Sequence, residues 1–209
     1  MPDKTTLLYA ARHGETTLNA SNSFRGTANP PLNENGRTDA EELANYFEPI
    51  CLSAIFYSDK IRSAETADVI ASRKQGLPCF PSSALHAWNV GMFSGQQKSE
   101  ENLIKLEYYI QNPTIPIPEG ESLMSFKSRI RPCLVEGLEL ANQAGKPVLF
   151  VVHSSVIHEV GSMIEGSHGA TLVKPGGIAH IYESGGQLHA EPLLKEAPKP
   201  TGRQADTIS

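Results

Sequence analysis

At 209 residues the chain is long enough for one sizeable core and short for two, and its 39% hydrophobic and 20% charged residues exclude a disordered chain. A formal net charge of -5 argues against a broad nucleic-acid surface, which needs clustered Lys and Arg. Three scattered cysteines without CxxC or Cys/His spacing, and an apolar run at Leu7–Ala11 too short for a signal peptide or membrane span, point to a reducing, cytoplasmic setting. The expected organisation is a single domain over residues 1–194 and a polar, disordered tail over 195–209.

Thr5 to Ala11 reads as a buried strand that opens at Arg12-His13-Gly14-Glu15-Thr16 into a polar loop. Asn33 caps a helix to Phe47, with Ala40, Leu43, Ala44 and Phe47 on one face. Ala54–Tyr57 is a second strand, and Ser58-Asp59 signals the start of a helix to about Ala71, with Arg62 about one turn in. A third strand is expected near Cys79-Phe80, a helix over Lys98–Ile110, and an extended loop over Asn112–Pro118 with its three prolines. Helical spacing over Glu121–Gln143 is expected to kink or break at Pro132. Pro147–Val152, continuously apolar, is the strongest strand signal and ends directly at His153; a helix to about Glu165 follows. Ile178–Tyr182 and Leu188–Leu193 flank Ser184-Gly185-Gly186 as a hairpin. Alternating strands and helices predict a three-layer α/β/α sandwich with a mainly parallel central sheet.

If the strands ending at His13 and His153 are parallel neighbours, the two histidines meet at one sheet edge. Either alone is weak evidence, because a histidine after a strand is commonly structural. Arg12 beside His13, and Arg62 at a third strand end, add fixed positive charge at the same edge. A guanidinium offers a planar fork of donors matched to phosphate oxygens. Two arginines with two histidines therefore suit a dianion, and a neutral imidazole can take a phosphoryl group to give a phosphohistidine. The cluster needs no metal and no cofactor, since the arginines supply the positive charge.

The stretch Arg12-His13-Gly14-Glu15-Thr16, with Asn19, Gly26 and Pro31-Leu32-Asn33-Glu34-Asn35-Gly36-Arg37, resembles the opening of the histidine phosphatase superfamily, phosphoglycerate mutase-like branch. Tyr57 to Ala67 resembles its second motif, Pro118 to Ser122 the loop before its long helix, and Val151 to Ile157 its last catalytic motif. The resemblance implies that His13 becomes phosphorylated while Arg12, Arg62 and His153 hold the transferring group. It makes Asn19 and the backbone amide of Ser154 further phosphate contacts. Glu15, which would repel the substrate from within the pocket, is given a structural role orienting the loop.

One position departs from the family. Where it usually has a proton-donating glutamate, in Leu-x-Glu-x-x-x-Gly, this chain reads Leu85-His86-Ala87-Trp88-Asn89-Val90-Gly91, so Ala87 stands for the acid. His86 could take over, Glu119 or Glu121 could supply a carboxylate, or the protein could work without an acid. Trp88 is read as an anchor of its loop, and His168, His180 and His189 as structural. The expected activity is hydrolysis of a phosphomonoester by a metal-independent phosphatase. The alternatives are a mutase-like phosphotransferase and a catalytically impaired binder of phosphorylated ligands. The expected partner is a small phosphorylated substrate or a phosphoprotein, with no nucleic acid and no membrane; the oligomeric state stays open, a dimer included.

Overall fold

The computed structural model describes residues 5–19, 21, 23–25, 28–165 and 173–198. Gly26, His168 and the tail from residue 199 lie outside the described residues. Six strands form one sheet: β1 (Thr5–Arg12), β2 (Ile55–Ser58), β3 (Cys79–Ser82), β4 (Val148–Val152), β5 (Ile178–Ser184) and β6 (Gln187–Leu194), in the order β3-β2-β4-β1-β5-β6. The first four in that order run parallel, while β5 pairs antiparallel with β1 and β6 antiparallel with β5.

Continuous apolar runs in β1 and β4 follow from cover on both faces. Alternate residues go to opposite sides, as the two-residue strand period requires. Leu8, Ala10, Val148, Phe150 and Val152 join a core with Phe126, Ile130 and Leu134 of α4 (Leu123–Ala144) and Val156, Ile157 and Val160 of α5 (Ser154–Glu165). Ala11, Leu149, Val151 and Ile55 face the other way, onto Leu43, Ala44 and Phe47 of α1 (Glu34–Phe47) and Ala67 and Ile70 of α2 (Ile61–Ser72). Helices on both sides of a mainly parallel sheet make the three-layer α/β/α sandwich that the sequence predicts. Each large apolar side chain so buried contributes about 1.5–3 kcal/mol.

Local chemistry sets the element ends. Asn33 caps α1 by accepting from Gly36 N at 2.8 Å. The expected cap of α2 by Ser58 and Asp59 is not formed. Lys60 occupies that position without a side-chain bond, because Ser58 Oγ faces His153 Nε2 and the Asp59 carboxylate faces His86. Arg62 is consequently the second residue of α2, nearer the β2 end than one turn. Pro132 neither breaks nor ends α4, which continues to Ala144. The proline sits on the exposed face, while Phe126, Ile130, Leu134 and Ala141 keep the opposite face packed. The β5–β6 turn is Gly185-Gly186, with φ of 62° and 77°, the left-handed pair that a two-residue hairpin needs.

Residues 195–198 of the expected tail are held against the loop before β5. Lys174 N donates to Lys195 O at 2.7 Å, and Lys174 Nζ pairs with Glu196 at 3.0 Å. A helix α3 (Glu100–Gln111), capped by Ser99, lies beside a small cluster of Phe24, Val90, Phe93 and Ile117 near the carboxyl ends of the parallel strands. Among the described residues no helix is long and apolar enough to cross a membrane.

Candidate active site

The β1–β4 pairing decides the geometry. Arg12 registers with Val152, and His13 N donates to Val152 O at 3.0 Å, so the next residue of each strand is a histidine at the same edge. The rings of His13 and His153 lie edge to face, 5.1 Å between centroids. Both residues are buried, at 0% and 1% exposure.

The hydrogen bonds fix both tautomers, since a carbonyl can only accept and a guanidinium can only donate. His13 Nδ1 donates to Gly14 O at 2.6 Å, leaving Nε2 with a free electron pair that accepts from Arg62 Nε at 3.1 Å. Arg25 Nη1 is 3.4 Å from the same nitrogen. His153 Nδ1 accepts from Arg62 Nη2 at 3.3 Å, so its Nε2 carries the hydrogen and donates to Ser58 Oγ at 2.9 Å. Burial first, then Arg62 and Arg25, holds His13 well below the ordinary histidine range; burial, His13 and the same two arginines do so for His153. At neutral pH His13 Nε2 thus carries a free electron pair among cations.

Arg12 uses Nη1 on Val173 O at 2.9 Å, while its buried Nε has no hydrogen-bond partner among the described residues. A buried unpaired donor costs about 1–3 kcal/mol, which an oxyanion at that point would recover. Burial and the charges of Arg25 and Arg62 push the Arg12 guanidinium down to about 9, still charged at neutral pH. Asn19 turns its carbonyl inward, accepting from Thr16 N at 3.0 Å and Thr16 Oγ1 at 2.7 Å. Ser154 opens α5 and lines the cavity beside His153. Glu15 faces away, as the sequence reading favours: its carboxylate accepts from Asn33 and Asn35, and its backbone N–H donates to Asp39. Gly14 and Gly36 permit the loop to close on α1, because a Cβ on Gly14 would stand 2.2 Å from Gly36 O.

Two cationic residues escaped the sequence reading. Arg25 and Lys98 line a cavity of about 180 Å³ with Arg62, Ala87, Trp88 and His153. They meet because Ser23 bridges Gln97 and Phe24 pairs with Gly95 and Gln96, a contact between two loops that no local pattern announces. Lys98 stands 5.7 Å over the Phe24 ring, and burial followed by Arg25 and Arg12 lowers its proton affinity. Thr66 was also missed; its Oγ1 accepts from Gly14 N and donates to Arg62 O, tying α2 to the loop of His13. Trp88 anchors as expected, stacking on Phe126 and donating from Nε1 to Glu121 O, and it also walls the cavity.

Ala87 lies between that cavity and a second of about 350 Å³, and Arg62 borders both. Glu121 also borders the second cavity, with both oxygens engaged by neighbours. One accepts from Asn89 N and Arg129 Nη2, the other from Arg129 Nε. Glu119 is exposed and borders neither cavity. His86 borders the second cavity and contacts Asp59.

A mainly parallel α/β sandwich brings two buried histidines and converging arginines to one sheet edge, an arrangement whose donors suit an oxyanion. The chain belongs to the histidine phosphatase superfamily (branch 1), whose profile matches residues 8–175. It is 30% identical over 149 residues to the probable phosphoglycerate mutase GpmB of Escherichia coli, covering 68% of this chain and 67% of that one. Its fold matches the crystal structure of phosphoglycerate mutase from Bacillus anthracis at a TM-score of 0.74 and 25% identity, over 92% of this chain and 93% of that one. A mycobacterial glucosyl-3-phosphoglycerate phosphatase shares the fold at a TM-score of 0.73 and 20% identity, over 94% and 100%.

Proposed function

We propose that the protein is a metal-independent phosphomonoester hydrolase that passes the phosphoryl group through His13. The observation that carries this reading is the fixed tautomer of His13: Nδ1–H is spent on Gly14 O, and the Nε2 electron pair points at Arg62 Nε and Arg25. In the reaction the His13 Nε2–P bond forms as the ester P–O bond breaks, and water then breaks the N–P bond to release phosphate. Arg12 Nε, Arg25 and Arg62 neutralise the equatorial oxygens, each well-placed donor contributing about 3 kcal/mol at the transition state. His153 helps hold that group through Arg62, whose Nη2 donates to His153 Nδ1, and is steadied from behind by Ser58. Asn19 and the Ser154 amide complete the cradle. The substrate is a small phosphorylated molecule or a phosphoprotein, and the setting is cytoplasmic.

Two other readings each have one observation behind them. The names of the Escherichia coli and Bacillus anthracis relatives favour a mutase, in which a bound hydroxy acid replaces water as acceptor. Ala87 favours a binder without turnover. Incubation with p-nitrophenyl phosphate and a panel of alkyl phosphomonoesters separates the three. The expected result is release of inorganic phosphate, an acid-labile phosphoprotein after rapid quench, and loss of both in His13→Ala. Phosphate transferred to an added hydroxy acid in preference to water would establish the mutase, and phosphate binding without turnover the binder.

A further inference from the structure

A phosphoryl transfer through His13 still has to protonate the departing oxygen, and the usual carboxylate position is a methyl group. Glu121 is clamped by the two-toothed fork of Arg129, with Nε at 3.0 Å and Nη2 at 2.7 Å, and Asn89 N takes another of its acceptor positions. Such a fork spends the carboxylate on holding Arg129 and the loop that Arg129 carries. Glu119 borders neither cavity at Ala87. On the loop of Ala87 itself, from Ser83 to Gly91, the one titratable side chain is the preceding residue, His86.

The loop that carries His86 is rigidly held. Arg129 Nη1 donates to Ala84 O at 2.7 Å and to His86 O at 2.8 Å, Arg129 Nη2 donates to Ala87 O at 2.9 Å, and Trp88 N donates to Ser155 Oγ at 3.1 Å. This places the imidazole on the wall of the cavity that Arg62 also borders, and Arg62 Nε lies on the nucleophilic nitrogen of His13. The charge of His86 is felt at His153. His86 Nε2 meets the Asp59 carboxylate, and Asp59 follows Ser58, the residue that steadies His153. A carboxylate on one ring nitrogen orients the imidazole, a familiar arrangement for a proton donor.

We propose that His86, oriented by Asp59, is the general acid that protonates the leaving-group oxygen, in place of the side chain that Ala87 lacks. The inference rests on the phosphohistidine reading above. In the first step the imidazolium of His86 gives its proton to the alkoxide as the P–O bond breaks and His13 Nε2–P forms. In the second, neutral His86 takes a proton from the attacking water as the N–P bond breaks, which restores the imidazolium and releases hydrogen phosphate. Asp59 touches no reacting atom and is a positioning residue.

The charged and titratable groups around His86 are Asp59 and Lys60 after β2, Arg62 on α2, Glu121 before α4, Arg129 on α4, and His153 after β4. The test compares an alkyl phosphomonoester with p-nitrophenyl phosphate, whose phenolate leaves without a proton. His86→Gln is expected to lose about 100-fold in kcat/KM, which reports the phosphorylation step alone, on the alkyl ester and little on the aryl ester. The same change should abolish the basic limb of the alkyl-ester kcat/KM profile. Asp59→Asn should give a smaller loss with a displaced pH limb, and Ala87→Glu in the His86→Gln background should restore alkyl-ester turnover. Equal losses of kcat/KM on both esters, or none, would overturn the role of His86 while leaving the phosphohistidine intact. Absence of all turnover in the unmodified protein would overturn that reading and this one together.

Discussion

Burial of two neutral histidines among guanidinium groups ties the site's chemistry to the protein's acid stability. Both His13 and His153 bind a proton less readily folded than unfolded. Below about pH 6.5 the unfolded chain therefore takes up protons that the native state refuses. The stabilisation is fully present above the unfolded histidine range and is lost as pH falls. Denaturant unfolding measured between pH 8 and pH 5 should show stability dropping through pH 6.5, by up to about 1.4 kcal/mol per unit per histidine; the slope in His13→Asn should be shallower. Arg25 offers a second test at this scale. Its Nη1 stands 3.4 Å from His13 Nε2, and the change Arg25→Gln should weaken inorganic phosphate binding about tenfold by calorimetry. His13, His153 and Arg62 were legible in the sequence because each directly follows, or opens the helix after, an apolar strand. Arg25 and Lys98 were not, because they meet only when two loops about seventy residues apart pair through Ser23 and Gln97.

Among the elements, α4 carries a proline that sequence rules make a break and the structure makes a local cost. Pro132 cannot donate a backbone hydrogen bond, yet the helix is held from Leu123 to Ala144 by the packing of its inner face. Propensity sets only a weak preference, and several buried side chains at about 1.5–3 kcal/mol each outweigh one lost turn. Since Pro132 is exposed, Pro132→Ala should stabilise the protein by about 1–2 kcal/mol, read as a higher urea midpoint at unchanged slope. The start of α2 failed to follow its expected capping for the opposite reason. Ser58 and Asp59 have suitable side chains, but both turn to distant histidines. Local signals fix where elements lie, and the site takes capping groups away from them.

For the molecule as a whole, a net charge of -5 coexists with a cavity bordered by Arg25, Arg62 and Lys98. Such a pocket attracts dianions at short range and loses that attraction to salt. Inorganic phosphate should stabilise the fold by about 2.7 kcal/mol at a hundredfold excess over Kd, read as a higher melting temperature, and added sodium chloride should diminish the shift. The strand order carries a further consequence. β4 lies between β2 and β1, although it is made some ninety residues after β2. The chain must leave its central place open until β4 arrives, and His153 comes with that strand. Non-local pairing of this kind is slow, because loop closure has to precede the contacts that reward it. In refolding, helix content recovers first, and the capacity to retain phosphate returns only with the slowest phase, when β4 seats itself and brings the second histidine to the first.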